Sequence, residues 1–416
     1  MQFKKEIVMT IKKNLVKSGA MLLCLLILAF SSPHVANGQK EQQPKRPGGV
    51  TDQYVIIEGD IQVSLSFYQE LVTAALSPQA APIKYSTKLW PNGIIPFQFE
   101  TTCAATSTCS GAPLSGCIPG SDPATDNGKR KLMRNAMDVL QAVANVSFQW
   151  CANNSCSGNY VHIRDSTNDT RVGDGNMCLN ASANNSAVGV KGGRQIINIA
   201  SWSSQFIIVH ELMHCLGFFH EQSRPDRDNY VRTICENVKD GGCGSDRYRD
   251  DFTIKSDAMP YGYYDFDSVM HYSQCAVTRN DGTVKDGNGF PVPACPAVSS
   301  VFPDGGITLL VKEPYNIQWQ NVIGQRSHLS ELDKANVSFL YPFPDWRFLD
   351  VTYGGERGQP NGSFHRPYTS FAEAVANTPE GGTIWLLRTQ TIPAVGIYDK
   401  SISVKAAPGV EAILGD

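Results

Sequence analysis

The stretch from His210 to Asp228, HELMHCLGFFHEQSRPDRD, constrains this chain more than any other. His210 and His214 stand four residues apart, so on a helix both imidazoles leave the same face. The run SSQFIIVHELMHCLG predicts such a helix, buried, beginning near Ser203 and ending at Gly217. Ser203 or Ser204 can cap its start, and a glycine suits the left-handed position just past a helix end. Two imidazole nitrogens so placed can grip one zinc ion, and the sharp turn at Gly217 can bring His220 back as a third ligand. Glu211 then sits beside the open coordination position, where a carboxylate can take a proton from zinc-bound water. HExxH alone recurs by chance in ordinary helices. HExxHxxGxxH is far more restrictive.

A second feature lies about fifty residues beyond His220, where YDFDSVMHY places Met270. A methionine in a tight turn beneath the metal is the other mark of the metzincin class, and its soft thioether suits packing under three imidazoles. Alone, Met270 would read as plain core. With these two motifs the chain resembles the astacin family of zinc metallopeptidases. The resemblance is carried by His210, Glu211, His214, Gly217, His220, Glu221, Arg224, Asp226, Arg227 and Asp228, and by Ser268, Met270, His271 and Tyr272 in the turn. LWPNGIIPF (89–97) at one end and IGQRSHLSELD (323–333) with Leu340-Tyr341 at the other extend it over roughly 81–342.

The resemblance implies roles. Tyr272 would be an extra zinc ligand through its phenolate, swinging away to hydrogen-bond the oxyanion of the tetrahedral intermediate. Glu221 would lie below the site and bind the mature amino terminus, directly or through water. The charges at Arg224, Asp226, Arg227 and Asp228 read as a scaffold of ion pairs. There are departures: NVSFQW and LYPFPDW lack the family's cysteines, so one usual bridge is missing as a unit. Cys178 resembles half of a second bridge. Cys215, inside the zinc helix, is a substitute partner for it.

The N-terminus carries Lys12, Lys13 and Lys17, then the short apolar run GAMLLCLLILAF, then small residues at Ala36 and Gly38. That pattern predicts a signal peptide over 1–38, too short in its apolar part to span a bilayer, and hence a secreted, extracellular protein. Cysteine usage agrees. Cys151 with Cys156, Cys235 with Cys243, and Cys275 with Cys295 bracket turn-rich loops, as disulfides formed in an oxidising compartment do. Twelve cysteines less Cys24 leave an odd number, so at least one thiol is free or paired between molecules. A net charge of −3 provides no basic field for nucleic acid.

Residues 39–80 are expected to be a propeptide, with maturation near Ala80 or Ala81 by another protease. IEGDI (57–61) resembles the family's FxGD latch, with Asp60 binding zinc in place of the catalytic water; the alternative is an ordinary turn. After Tyr341 the texture changes. GSFHRPYTSFAEAVANTPEGGTIWLL predicts loop, short helix, turn and buried strand, and SISVKAA and EAILG further strands. This segment, 343–416, resembles the opening of a pectate-lyase-type parallel β-helix, against a generic β-rich module.

The expected fold class is therefore α+β: a metzincin, astacin-like catalytic domain with zinc helix and methionine turn over 81–342, then a small β-rich module. The expected function is a secreted zinc endopeptidase acting on protein or peptide substrates, with one Zn2+, Glu211 as general base, and an aspartate-latched zymogen. After signal cleavage no membrane association is expected. The rival is a binding or adhesion protein that presents the C-terminal module; it is disfavoured because His210, Glu211, His214, His220 and Tyr272 are all in place.

Overall fold

The computed structural model describes residues 54–57, 60–64, 88–101, 118, 128–167, 170–172, 178–180, 184–238, 243, 250–256, 258, 260–278, 283–285, 291–293, 306–394, 396 and 398–415. All of them belong to one unit, Pro44–Asp416. The signal peptide, the maturation site near Ala80 and most of the propeptide lie outside the described residues.

The strands in chain order are β1 (Tyr54–Ile57), β2 (Ile61–Ser64), β3 (Ile94–Phe99), β4 (Ser147–Trp150), β5 (Tyr160–Asp165), β6 (Thr170–Val172), β7 (Cys178–Asn180), β8 (Ser186–Ala187) and β9 (Arg194–Ile199). They continue as β10 (Val231–Thr233), β11 (Thr283–Lys285), β12 (Pro291–Pro293), β13 (Leu309–Val311), β14 (Trp346–Leu349), β15 (Thr383–Leu386), β16 (Gln390–Ile392), β17 (Ser403–Ala406) and β18 (Ala412–Leu414). The helices are α1 (Lys129–Gln141), α2 (Gln205–Leu216), α3 (Asn316–Trp319), α4 (Glu331–Leu340) and α5 (Phe371–Asn377).

The scaffold of the site is a four-stranded sheet of order β4-β3-β5-β9, parallel at every pairing. Parallel strands are buried on both faces and need helices to cover them. Here α1 and α2 do so: Met133, Met137 and Leu140 of α1 join Ile208, Leu212 and Leu216 of α2 in one core with Ile95, Phe97 and Ile163 of the sheet. β8 lies antiparallel beside β9 through the Asn185–Asn198 bridge, and β2 adds to β8 in parallel, Ile61 opposite Ser186. β1 and β2 form an antiparallel hairpin whose tight turn contains Asp60. A second core, with Val231, Phe266, Tyr272 and Leu309, closes the other side of the site around the antiparallel pair β10–β13. Antiparallel pairs β6–β7 and β11–β12 complete the described part of this half.

The cysteine expectations divide. Cys151–Cys156 and Cys235–Cys243 are disulfides, and Cys275 is bridged to a residue outside the described set. Cys215 as a substitute partner is overturned. It is a free thiol, buried in the core beneath the sheet, and burial pushes its pKa up to about 12. Its sulfur meets Gln195 Nε2 at 3.9 Å, so it serves as packing.

Residues 343–416 form a β-rich module. β14, β15 and β17 pair in parallel, as do β16 and β18, so each strand repeats the direction of the one below it. The short helix α5 falls in the predicted stretch, and β15 is the predicted buried strand. The proline-bearing segment at 342–344 does not separate the module from the catalytic half. Phe339 of α4 is 1% exposed and packs on Phe348, Trp385 and Phe364 of the module, with Tyr261 of the catalytic half on the same cluster.

Helix α4 therefore ties the module to the site, because its other end holds the methionine turn. Ser330 caps it in a reciprocal capping box with Asp333. Asp333 also accepts from Ser268 Oγ (2.7 Å) and from the Val269 amide (2.8 Å), which fixes the backbone just before Met270. Burial, reinforced by the Asp265 carboxylate, pushes the Asp333 carboxyl up to about 6 from an ordinary 3.8.

Two outcomes follow for stability. Phe339→Ala removes a fully buried ring shared by the halves and is expected to cost about 3–5 kcal/mol in urea unfolding. Asp333→Asn can keep an oxygen toward the Val269 and Ser330 amides but sets an amide donor against the Ser268 hydroxyl, which loses its acceptor, at about 1–3 kcal/mol. The native Asp333 binds its proton more tightly than the unfolded chain does. Its contribution is thus fully present below about pH 3.8 and lost as pH rises through about 6. That portion of the wild-type stability–pH curve is expected to vanish in Asp333→Asn, as thermal unfolding between pH 4 and 7 can check.

Candidate metal centre

Helix α2 is built as its sequence dictates. Ser204 caps it by accepting from the Phe206 amide, and Gly217 ends it at φ 117°, a left-handed conformation that glycine adopts without a Cβ penalty. Every residue from Ile208 to Leu216 is buried. The polar groups on this buried helix must therefore be satisfied by specific partners.

His210 and His214 project from one face, and the turn after Gly217 returns His220 to them. Each imidazole on the helix is oriented from behind. His210 Nδ1 meets the Val269 carbonyl at 2.8 Å and His214 Nδ1 meets the Phe218 carbonyl at 2.7 Å. A carbonyl can only accept, so these Nδ1 atoms carry the proton and the Nε2 lone pairs face inward. His210 Nε2 and His220 Nε2 approach to 3.3 Å. Asp60 completes the group: one oxygen is 3.1 Å from His210 Nε2 and 3.2 Å from His220 Nε2, the other 3.7 Å from His214 Nε2. The last distance is too long for a hydrogen bond, and both of its atoms are buried without a hydrogen-bond partner. Ligand atoms of all four side chains lie within 4.8 Å of one another. Inward lone pairs, a carboxylate and orphaned polar atoms around one point are the donor set of a small cation, and nitrogen with oxygen donors in this number suits zinc.

The electrostatics fit the same picture. Burial holds the His210 imidazole well below its usual pKa, with the Arg326 charge adding to the effect. Burial alone would raise the Asp60 carboxyl, but the imidazoles around it, His220 foremost, hold it well below the carboxylate range. Glu211 is 2% exposed, and burial followed by the Asp60 charge pushes its carboxyl well above normal. Its Oε2 is buried without a hydrogen-bond partner. The structure thus brings Glu211, the three histidines and Asp60 together. Tyr272 stands at the rim of the group, its ring centroid 4.5 Å from that of His220.

The floor is rigid. The Met270 carbonyl accepts from the Glu221 amide, and Gln222 Oε1 accepts from the Tyr272 amide. Burial pushes the Glu221 carboxyl up to about 8, against the lowering effect of Arg224 at 3.1 Å. Arg224 also forks onto Asp226 and donates to the Gly262 and Tyr263 carbonyls, while Arg227 donates to Asp228 and the Gln222 carbonyl. These charges form a scaffold of ion pairs behind the site.

One residue escaped the sequence reading. Arg326 is half-buried, and its charge acts on Asp60, Glu211 and Tyr272 together. Its guanidinium donates to the His271 carbonyl at 3.1 Å. Gly324 makes the approach possible: at φ 86° it lies against Ser273, and an added Cβ would meet that backbone at 2.4 Å. The signal was present in GQR, a glycine two residues before an isolated arginine.

Comparison with known proteins agrees with this geometry. Residues 121–287, which hold the zinc helix and the methionine turn, match the peptidase family described as Astacin. The zinc metalloproteinase nas-15 of Caenorhabditis elegans is 28% identical over 263 residues, 63% of this chain and 34% of that protein. Nas-13 of the same organism is 43% identical over 160 residues, 38% of this chain and 28% of its own length. An astacin-like metalloendopeptidase of Gallus gallus is 29% identical over 227 residues, covering 54% and 44%. The chain thus spans under half the length of each of these relatives. Among solved structures, the hatching enzyme zinc-protease HCE-1 of the medaka Oryzias latipes aligns over 61% of this chain and 93% of its own, with 22% identity and a TM-score of 0.38. The zinc helix and the methionine turn thus lie within the stretch, residues 121–287, that is similar to the astacin peptidase family.

Proposed function

We propose that this protein is a secreted zinc endopeptidase that cleaves protein or peptide substrates and is held silent by Asp60 until its propeptide is cut. The observation that carries the reading is the meeting of His210, His214, His220 and Asp60 at one point, with Glu211 beside it. The export step rests on the sequence of residues 1–38. It is compatible with the finding that no helix among the described residues is long and apolar enough to cross a membrane.

Zinc held by the three histidines would polarise the scissile carbonyl and lower the pKa of water. The chain's own residues do the rest. Glu211 takes the proton of the attacking water and delivers it to the leaving amine. Tyr272 donates to the carbonyl oxygen as negative charge grows there. The half-buried Arg326 charge favours the same developing anion from behind. Asp60 blocks this by competition, because a carboxylate tethered on the β1–β2 turn has a high effective concentration at the open position. Residues 343–416 are read as the first turns of a parallel coil that braces α4, a reading supported by the parallel registers of β14, β15 and β17.

Glu211→Gln is expected to keep zinc and fold while peptidase activity falls by about 10²–10⁴. Zinc content and kcat/KM on one peptide check this, and near wild-type turnover would sink the mechanism. Tyr272→Phe is expected to lose about 10²-fold, mainly in kcat. Uncut wild type is expected to be nearly inactive, whereas uncut Asp60→Ala shows activity. Equal rates with intact mass verified afterwards would return IEGDI to its reading as an ordinary turn.

A further inference from the structure

Next to the metal centre, the cleft edge is built from residues 184–187 and the neighbouring strand β9. The Asn185 and Asn198 backbones exchange hydrogen bonds at 3.0 Å, and Asn184 Oδ1 accepts from the Ala200 and Ser201 amides. Into this edge the propeptide presses Gln62, two residues from Asp60 along β2. Gln62 is 2% exposed, and its Nε2 donates to Asn185 Oδ1 at 2.6 Å.

The direction of that bond is fixed by a chain of polar groups. Arg164 can only donate, and its Nη1 lies 3.1 Å from Asn198 Oδ1. The Asn198 oxygen therefore accepts, so its Nδ2 must face Asn185, where it meets Oδ1 at 2.8 Å. Asn185 in turn must present its oxygen to this corner, and whatever reaches it from the cleft must donate. The group is 5% exposed with the propeptide in place, so an occupant without a donor strips water from that oxygen and returns nothing. A carboxylate would set acceptor against acceptor. A lysine or arginine would bury a cation near the Arg164 guanidinium.

Building on the endopeptidase reading, we propose that Asn185 is a specificity-determining residue whose side-chain oxygen selects a neutral amide side chain, glutamine above all, at the substrate position that Gln62 occupies. The propeptide then uses the same contact that a good substrate does. Removing residues up to the maturation site opens the corner without reorganising it, because Asn198 and Arg164 keep Asn185 oriented.

The proteolytically matured protein is assayed on matched peptides carrying Gln, Met, Glu or Lys at each position either side of the scissile bond. At one position Gln is expected to exceed isosteric Met about five- to tenfold in kcat/KM, with Glu and Lys below Met. Asn185→Leu is expected to level Gln and Met. Asn185→Asp, which still accepts from Asn198, is expected to move the preference to Lys. Gln and Met equal at every position, or a Gln preference that survives Asn185→Leu, overturns the assignment. A matured protein that cleaves none of the peptides refutes the endopeptidase reading instead. Binding then decides the present one. A synthetic peptide of residues 54–64 is expected to bind about five- to tenfold more weakly when it carries Gln62→Met, on wild type but not on Asn185→Leu; an unchanged Kd overturns the assignment.

Discussion

Everything at the centre depends on two backbone carbonyls. Val269 and Phe218 take the Nδ1 protons of His210 and His214 and thereby aim both Nε2 lone pairs at one point. Turned the other way, either ring would present an N–H, and the site could hold no cation. The two carbonyls come from different places. Phe218 follows the left-handed stop at Gly217, and Val269 belongs to the methionine turn. The zinc helix and the methionine turn, far apart in sequence, are thus two halves of one orienting device.

That dependence explains why the turn is braced so heavily. Val269 can hold His210 only if its own amide is fixed, and Asp333 fixes it while also capping α4. The opposite end of α4 sets Phe339 among the aromatic rings of residues 343–416. A path of direct contacts therefore runs from the C-terminal module through one helix to the imidazole of His210. The module's packing and the metal site thus share one element, α4.

Much of this was legible in the sequence, and the parts that were not share a cause. The helix, its cap, its glycine stop and the histidine spacing are local patterns, and a period of 3.6 residues suffices to place them. The ion pairs from Arg224 to Asp228 are equally local. Arg326, Asn185 and Asn198 carry no such period. Their meaning comes from neighbours distant in sequence: Asp60 and Tyr272 around Arg326, Gln62 against Asn185, and Arg164 behind Asn198. Cys215 misled for a related reason. Cys215 inside the zinc helix suggested a bridge, but the thiol lies in a core with Trp90 and the sheet, where packing rather than pairing uses it.

The Asp60 hairpin differs from an ordinary turn in how it is held. A turn that merely reversed the chain would need nothing beyond its own β1–β2 pairing. Here the Asp60 carbonyl accepts from the Ser186 amide, Ile61 is fully buried, and Gln62 is bound by Asn185. Three successive residues are fastened to the cleft edge through backbone, apolar surface and side chain in turn. The carboxylate is thereby delivered to the histidines by contacts that do not involve a metal at all. Its tethering comes from contacts outside the histidine group.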